Sequence, residues 1–292
     1  TFVDFARGSV LQITGRATID WDPAGHPDFP GAQRFVEVAI EEVVELRESL
    51  PLRWDSSAAS RRSLRVLRRV RESADVVSFE LAAHDGGPLP GFRPGQHLPL
   101  EVDVPGGGEP LRRTYSLSGS PSAATYRISV KREEAGIVSR HLHYAVDSGT
   151  LVRTLLPAGD FVLRDASASN VFIGAGIGVT PLLAMLHTVV EQSDVPATQF
   201  FHAVRNGAHH PHEREIRALA SASSRLRLHV AYSRPRPDDE PGRAFDSTGR
   251  LDAARVRASL ASTNVDVYLC GPVGFMAAMR ADLVALGIAP GR

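Results

Sequence analysis

The feature that most constrains this chain is a change of rhythm near residue 165. Between Ser63 and Asp165, apolar and polar residues alternate in short runs, "LRVLRRV", "VVSFELAA", "QHLPLEVDV", "RTYSLS", "YRISVKRE" and "FVLRD", separated by Gly/Pro turns. Alternation of this kind sends successive side chains to opposite faces, so many short strands with one helical insert predict an antiparallel barrel. From Ala166 onward strands and helices take turns. "NVFIGAG" leads into a helix whose apolar face is Leu182, Leu183, Met185, Leu186, Val189 and Val190, with Thr180 expected as N-cap and Pro181 at the first helical position. The strands "TQFFHAV", "RLRLHVAY" and "VDVYLCG" then alternate with the helices "HEREIRALA", "DAARVRASL" and "FMAAMRADLVAL". That order predicts a parallel, doubly wound α/β sheet.

Ahead of both lies a β-rich piece, residues 1–46, in which "VLQITGRATIDW" and "RFVEVAIEEVVEL" alternate around a Pro/Gly-rich turn. Residues 47–62, "RESLPLRWDSSAASRR", have no period and read as a linker. The expected domains are therefore 1–46, 63–165 and 166–292. The chain begins with Thr1 and stops just after a helix ending at Gly287, so we expect a fragment cut at both ends.

Lys+Arg and Asp+Glu both number 33, so no net field recruits nucleic acid or an anionic membrane, and no apolar run is long enough to span a bilayer. A single cysteine, Cys270, excludes an internal disulfide framework and a four-cysteine iron–sulfur cluster within these residues. With no signal-peptide pattern, a reducing, cytoplasmic setting is expected.

Four stretches carry chemistry. "FIGAGIGVTP" ends a strand of the parallel sheet and runs into a helix, where free N–H groups favour an anion. It departs from the dinucleotide fingerprint GxGxxG, because Val179 stands where the third glycine belongs, and the next strand ends in Arg205 and Asn206 instead of an acidic residue. An ordinary dinucleotide-binding dehydrogenase is therefore disfavoured, and alone the loop also reads as a tight strand–helix turn. "RRTYSLS" puts Arg113 and Tyr115 on one face of a strand and Ser116 on the other: a guanidinium suits a phosphate, an aromatic ring suits a flat heterocycle, and a hydroxyl can bond a ring nitrogen. "KREEAGIVSRHLH" offers a glycine and a short helix beginning near Ser139, whose N–H groups and hydroxyl suit a pyrophosphate. "YLCGPVGFM" ends a strand at Cys270, by itself most simply a small buried hydrophobe.

Together these stretches resemble the ferredoxin–NADP reductase superfamily, and within it the reductase part of flavohaemoglobins and the reductases of Rieske-type oxygenases. The matching motifs are Phe92-x-Pro94-Gly95-Gln96, Arg113-x-Tyr115-Ser116, Gly136-x-x-Ser139, Gly174-x-Gly176-x-Gly178-x-Thr180-Pro181 and Cys270-Gly271-Pro272, over about Ser63 to Arg292. The resemblance implies an FAD-binding barrel, FAD being preferred to FMN. Arg113 would hold the flavin phosphate, Tyr115 would lie against the isoalloxazine, Ser116 would bond its N5 edge, and Gly136, Val138 and Ser139 would line the pyrophosphate. Gly174, Gly176, Gly178, Thr180 and Pro181 would receive the nicotinamide dinucleotide, while Cys270, Gly271 and Pro272 would border its ring, with Ser116 and Cys270 nearest the chemistry. Ser233 and Arg234 occupy the strand end where NADPH-using relatives grip a 2′-phosphate, leaving NADH against NADPH open. The implied reaction takes hydride from NAD(P)H onto FAD and passes single electrons to an iron–sulfur domain or ferredoxin. A flavin-less scaffold module, or an oxidase or free-flavin reductase, are the alternatives. The amino-terminal piece resembles the last strands of pyridoxamine-phosphate-oxidase-like split barrels.

Two further stretches have plainer readings than their composition suggests. "HHPHERE" groups His209, His210, His212 and Glu213, but at spacings that match no structural zinc site, and is expected to be a solvated loop, so no metal is expected. "RRSLRVLRRVRE" is expected to be the solvated outer face of a strand, or else a dock for an acidic electron carrier.

Overall fold

The computed structural model describes residues 2–4, 9–20, 35–46, 61–104, 108–164, 169–192 and 194–288. They fall into two compact units, Thr1–Ser60 and Arg61–Arg292. In the first, β1 (Phe2–Asp4), β2 (Ser9–Asp20) and β3 (Phe35–Leu46) form an antiparallel sheet in that order, with a register shift between Thr14 and Gly15. Residues 47–60 of the expected linker lie outside the described residues.

The second unit opens with six antiparallel strands: β4 (Arg62–Arg71), β5 (Val76–Ala83), β6 (His97–Val102), β7 (Leu111–Ser116), β8 (Tyr126–Lys131) and β9 (Leu151–Thr154), in the order β7-β6-β9-β4-β5-β8. The end strands are joined through an isolated antiparallel bridge, Leu117 to Ile128, beside which Ser118 N–H donates to Arg127 O at 2.8 Å. The inward side chains predicted by the alternation, among them Leu64, Val66, Phe79, Leu81, Leu98, Leu100, Ile128 and Val130, pack as one core with Val138 and Leu142 of α1 (Ile137–Ala145). That helix starts two residues ahead of the expected Ser139. The basic run forms β4 as expected, bulged so that Leu67 turns outward, and at the exposed surface Arg62 meets Asp85 at 3.5 Å, Arg65 meets His84 Nδ1 at 3.0 Å, and Arg68 pairs with Glu80.

The rest is a five-stranded parallel sheet ordered β13-β12-β11-β10-β14, from β10 (Ser169–Ala175), β11 (Thr198–Val204), β12 (Leu226–Tyr232), the two-residue β13 (Ser247–Thr248) and β14 (Val265–Cys270). Its helices are α2 (Val179–Val190), α3 (Glu213–Ser221), α4 (Ala253–Ala258) and α5 (Val273–Ala285). β10 lies between β11 and β14 and is covered on both faces, which explains its unbroken apolar run: Phe172 packs toward α2, Val171 and Ile173 toward α4 and α5. Phe172 meets the rings of Phe200 and Tyr268 edge-on at 6.0 and 5.4 Å. Two expectations fail here. Phe161–Arg164, read as a strand, is irregular, although Leu163 is buried and its N–H donates to Pro94 O. Thr180 is not the N-cap: residues 176–178 tighten into a 3₁₀ turn, the helix begins at Val179 behind Gly178, and Thr180 Oγ1 donates back to Ile177 O at 3.0 Å. The one side-chain cap in these helices is Asp252, which accepts from Arg255 N–H at 2.8 Å. Asp252→Ala should lower stability by about 1 kcal/mol, read as a small fall in thermal midpoint. No described helix is long and apolar enough to cross a membrane.

Candidate active site

Where the barrel meets the carboxyl ends of the parallel strands, a cleft of about 830 Å³ opens. β7 forms one wall and delivers Arg113, Tyr115 and Ser116 to it. Tyr115 rests against the barrel core, and burial pushes its hydroxyl up to about 12, so the ring presents a neutral aromatic face. Arg113 is exposed and has no carboxylate partner among the described residues; its Nη1 donates to Arg112 O at 2.7 Å, whereas Arg112 is paired with Glu101 at 2.9 Å. The strand thus places one uncommitted guanidinium over the cleft. The start of α1 adjoins it, with Gly136 as cap and no side-chain acceptor for the first-turn N–H groups. The Ser139 hydroxyl, expected to face a ligand, is instead taken up locally: it accepts from Glu133 N–H at 3.1 Å and donates to Gly136 O at 3.3 Å. Only the backbone there remains available.

The opposite wall comes from the sheet. Gly176, Gly178 and Thr180 line it together with Cys270, Gly271 and Pro272. Gly176 has φ +56°, a conformation that favours glycine, and open space where a Cβ would point. Gly178 presses on the neighbouring turn: a Cβ there would lie 2.5 Å from Cys270 O. The turn is also held from beneath. His202 on β11 is fully enclosed, and burial pushes it down to about 4, so it is neutral. Its Nε2 lies 3.0 Å from Gly176 O, and since a carbonyl only accepts, Nε2 carries the proton and donates. Burial raises the Cys270 thiol above its ordinary range. Alkylation by iodoacetamide at pH 7 to 8 should therefore run slower than with a free thiol, and speed up only at more alkaline pH.

Not every expected residue reaches the cleft. Gly174 lies within β10, where a Cβ would stand 3.2 Å from Leu182 Cδ1, so it serves the packing of α2 against the strand. Pro181 is buried in α2. Ser233 and Arg234 are exposed, off the cleft wall; their N–H groups donate to Val204 O and Arg205 O, extending the β11–β12 pairing past the strand ends.

Alternation missed a buried polar cluster between barrel and sheet. His210 and His212, expected in a solvated loop, are each 4% exposed. His210 Nδ1 lies 2.9 Å from the Tyr232 hydroxyl, and His212 reaches Ser129 of β8. Only the spacing of His212 and Glu215, three apart where a helix starts, hinted at a paired cluster. Among the described residues no group of three or more His, Cys, Asp or Glu side chains is placed to hold a metal ion.

An unpaired guanidinium, an aromatic ring, a hydroxyl and two uncapped helix starts around one cleft form a donor set that fits FAD and a nicotinamide dinucleotide. Comparison with known proteins agrees. A model described as "Oxidoreductase FAD-binding domain" matches residues 63–163, and one described as "Oxidoreductase NAD-binding domain" matches residues 172–281. The chain is 42% identical over 222 residues to a flavohemoprotein of Deinococcus radiodurans, covering 76% of this chain and 55% of that protein. It is 40% identical over 240 residues to a flavohemoprotein of Chromobacterium violaceum, covering 79% and 59%. The chain thus spans little more than half the length of these relatives. Among solved structures it is similar to the flavohem-like FAD/NAD-binding domain of a nitric oxide dioxygenase from Vibrio cholerae, at TM-score 0.72 and 34% identity, over 79% of this chain and 95% of that one. It is also similar to phthalate dioxygenase reductase, at TM-score 0.61 and 25% identity, over 78% and 65%.

Proposed function

This chain belongs to the ferredoxin–NADP reductase superfamily of FAD- and NAD(P)-binding oxidoreductases, and from that premise we propose that it takes hydride from NAD(P)H and hands on single electrons to a protein acceptor. The observation that carries this reading is the single cleft lined by Arg113, Tyr115 and Ser116 on one wall and by Gly176, Gly178 and Cys270 on the other. In it Arg113 neutralises the flavin phosphate and the free N–H groups at the start of α1 take the pyrophosphate. Tyr115 would lie against the ring system, and Ser116 would bond its edge. Bound there, FAD supplies a two-electron acceptor able to release electrons one at a time. Gly176, Gly178 and the start of α2 hold the dinucleotide, and Cys270 and Gly271 border the nicotinamide. No general acid or base is required of these walls; their part would be to bring two flat heterocycles together.

For the acceptor we favour an iron–sulfur protein or domain, the type of centre to which phthalate dioxygenase reductase, similar in fold, transfers electrons from pyridine nucleotides. The described part of residues 1–60 is stranded. A haem acceptor is the second reading, favoured by the higher identity to flavohemoproteins. The purified chain should carry flavin absorbance and bleach anaerobically with NADH or NADPH. Electron delivery to an added [2Fe–2S] ferredoxin, compared with delivery to a haem globin, separates the two acceptors. A colourless chain that cannot be reconstituted with FAD would overturn the proposal.

A further inference from the structure

His212, immediately before α3, is the one non-glycine residue at positive φ among the described residues, at +59°. A histidine in this conformation is strained unless its surroundings hold it there. Its side chain is 1% exposed, and its contacts cross from the nucleotide half into the flavin half. Nε2 lies 2.9 Å from Ser129 Oγ on β8, a residue that also lines the cleft. Nδ1 lies 3.4 Å from Glu72, at the end of β4, and 3.3 Å from Glu215 of its own helix, without hydrogen-bond alignment to either. Glu215 crosses the same boundary, accepting from Arg127 of β8 at 2.9 Å while also bonding His187 of α2 at 2.7 Å. Burial pushes the Glu215 carboxyl up, but His187, His212 and Arg127 outweigh it and hold the group well below the usual carboxylate range, so the cross-boundary ion pair persists at neutral pH.

We propose that His212 is a positioning residue, a pin through Ser129 that fixes the nucleotide-binding sheet against the flavin-binding barrel and thereby sets how the nicotinamide ring meets the flavin. The inference rests on the function proposed above. Each half holds one of the two reacting rings, so a small rotation between halves misplaces the reacting atoms, and a shift of about 1 Å is enough to slow such a reaction about 100-fold. The strained backbone at residue 212 persists because its side chain is engaged on the other half.

The test uses the FAD-loaded chain and the variants His212→Gly, His212→Gln and Ser129→Ala. Glycine relaxes the backbone and removes the pin; glutamine places an amide near the position of the imidazole Nε2 and restores the link. His212→Gly should keep its flavin content, lose the long-wavelength absorbance of reduced flavin stacked on added NAD⁺, and show kcat lowered about 10- to 100-fold with little change in KM. His212→Gln should return to within about threefold of the starting protein. Ser129→Ala should reproduce the glycine phenotype from the other half, and reads the pin even if the glycine chain fails to fold. Unaltered absorbance and kcat in Ser129→Ala or His212→Gly would overturn the proposal, as would parallel loss of flavin or no recovery with glutamine. A starting protein that binds no flavin overturns the function and the pin together; an active one with indifferent variants overturns the pin alone.

Discussion

Gly178→Ala is expected to slow nicotinamide-dependent reduction of the flavin by about 10- to 100-fold while leaving flavin content unchanged. The new Cβ would fall 2.5 Å from Cys270 O, 2.6 Å from Cys270 C and 2.7 Å from Gly271 Cα. All three are backbone atoms, so no side chain can swing aside to relieve the contact. Either the 3₁₀ turn at 176–178 lifts or the turn at 270–272 retreats, and both belong to the wall proposed above to receive the dinucleotide. The barrel wall carrying Arg113 and Tyr115 is untouched, which is why flavin should be retained. Rapid-mixing measurement of anaerobic bleaching against NADH concentration checks this; an unchanged rate would mean that the nucleotide does not use this turn.

Arg113→Ala is expected to weaken FAD binding about 10- to 150-fold, the equivalent of about 1.5–3 kcal/mol for a hydrogen bond to a charged group. Arg113 is the cation on β7 without an acidic partner, so its removal leaves no carboxylate stranded and the fold should hold. Loss of binding can then be ascribed to the missing guanidinium itself. Arg113→Lys should recover only part of the affinity, because an ammonium keeps the charge and loses the planar fork. Titrating FAD into the stripped protein by fluorescence quenching reads both. The effect should shrink as salt rises, since the side chain is exposed.

How far the sequence disclosed this architecture depends on whether a signal was local. The run from Asn170 to Ala175 and the apolar face of α2 are local patterns, and both sit where they were expected, in a sheet buried on two sides. Helix starts were read less well because Thr180 and Ser139 satisfy their hydroxyls against carbonyls and amides within their own turns, leaving glycines at the boundaries. The histidine-rich stretch was misread for a different reason. His212 is buried by β8, over eighty residues earlier in the chain, and period-based reasoning along one segment cannot see a neighbour that tertiary packing supplies. Of the candidate ligand residues, those at the open ends of β7, β10 and β14 converge on the cleft, while Ser233 and Arg234 stay outside it.

The barrel's circumference is fastened by ladders everywhere except between β7 and β8, where a lone bridge at Leu117 and Ile128 does the work. That slit runs beside Ser116 and Ser129, on the wall proposed above to hold FAD. Bound as proposed, the vitamin-derived prosthetic group would act as a clasp as well as a reagent at the weakest stave of the cylinder. With the group present at about a hundred times its dissociation constant, the folded form gains about 2.7 kcal/mol. Heat tolerance of this protein should then rise with flavin supply.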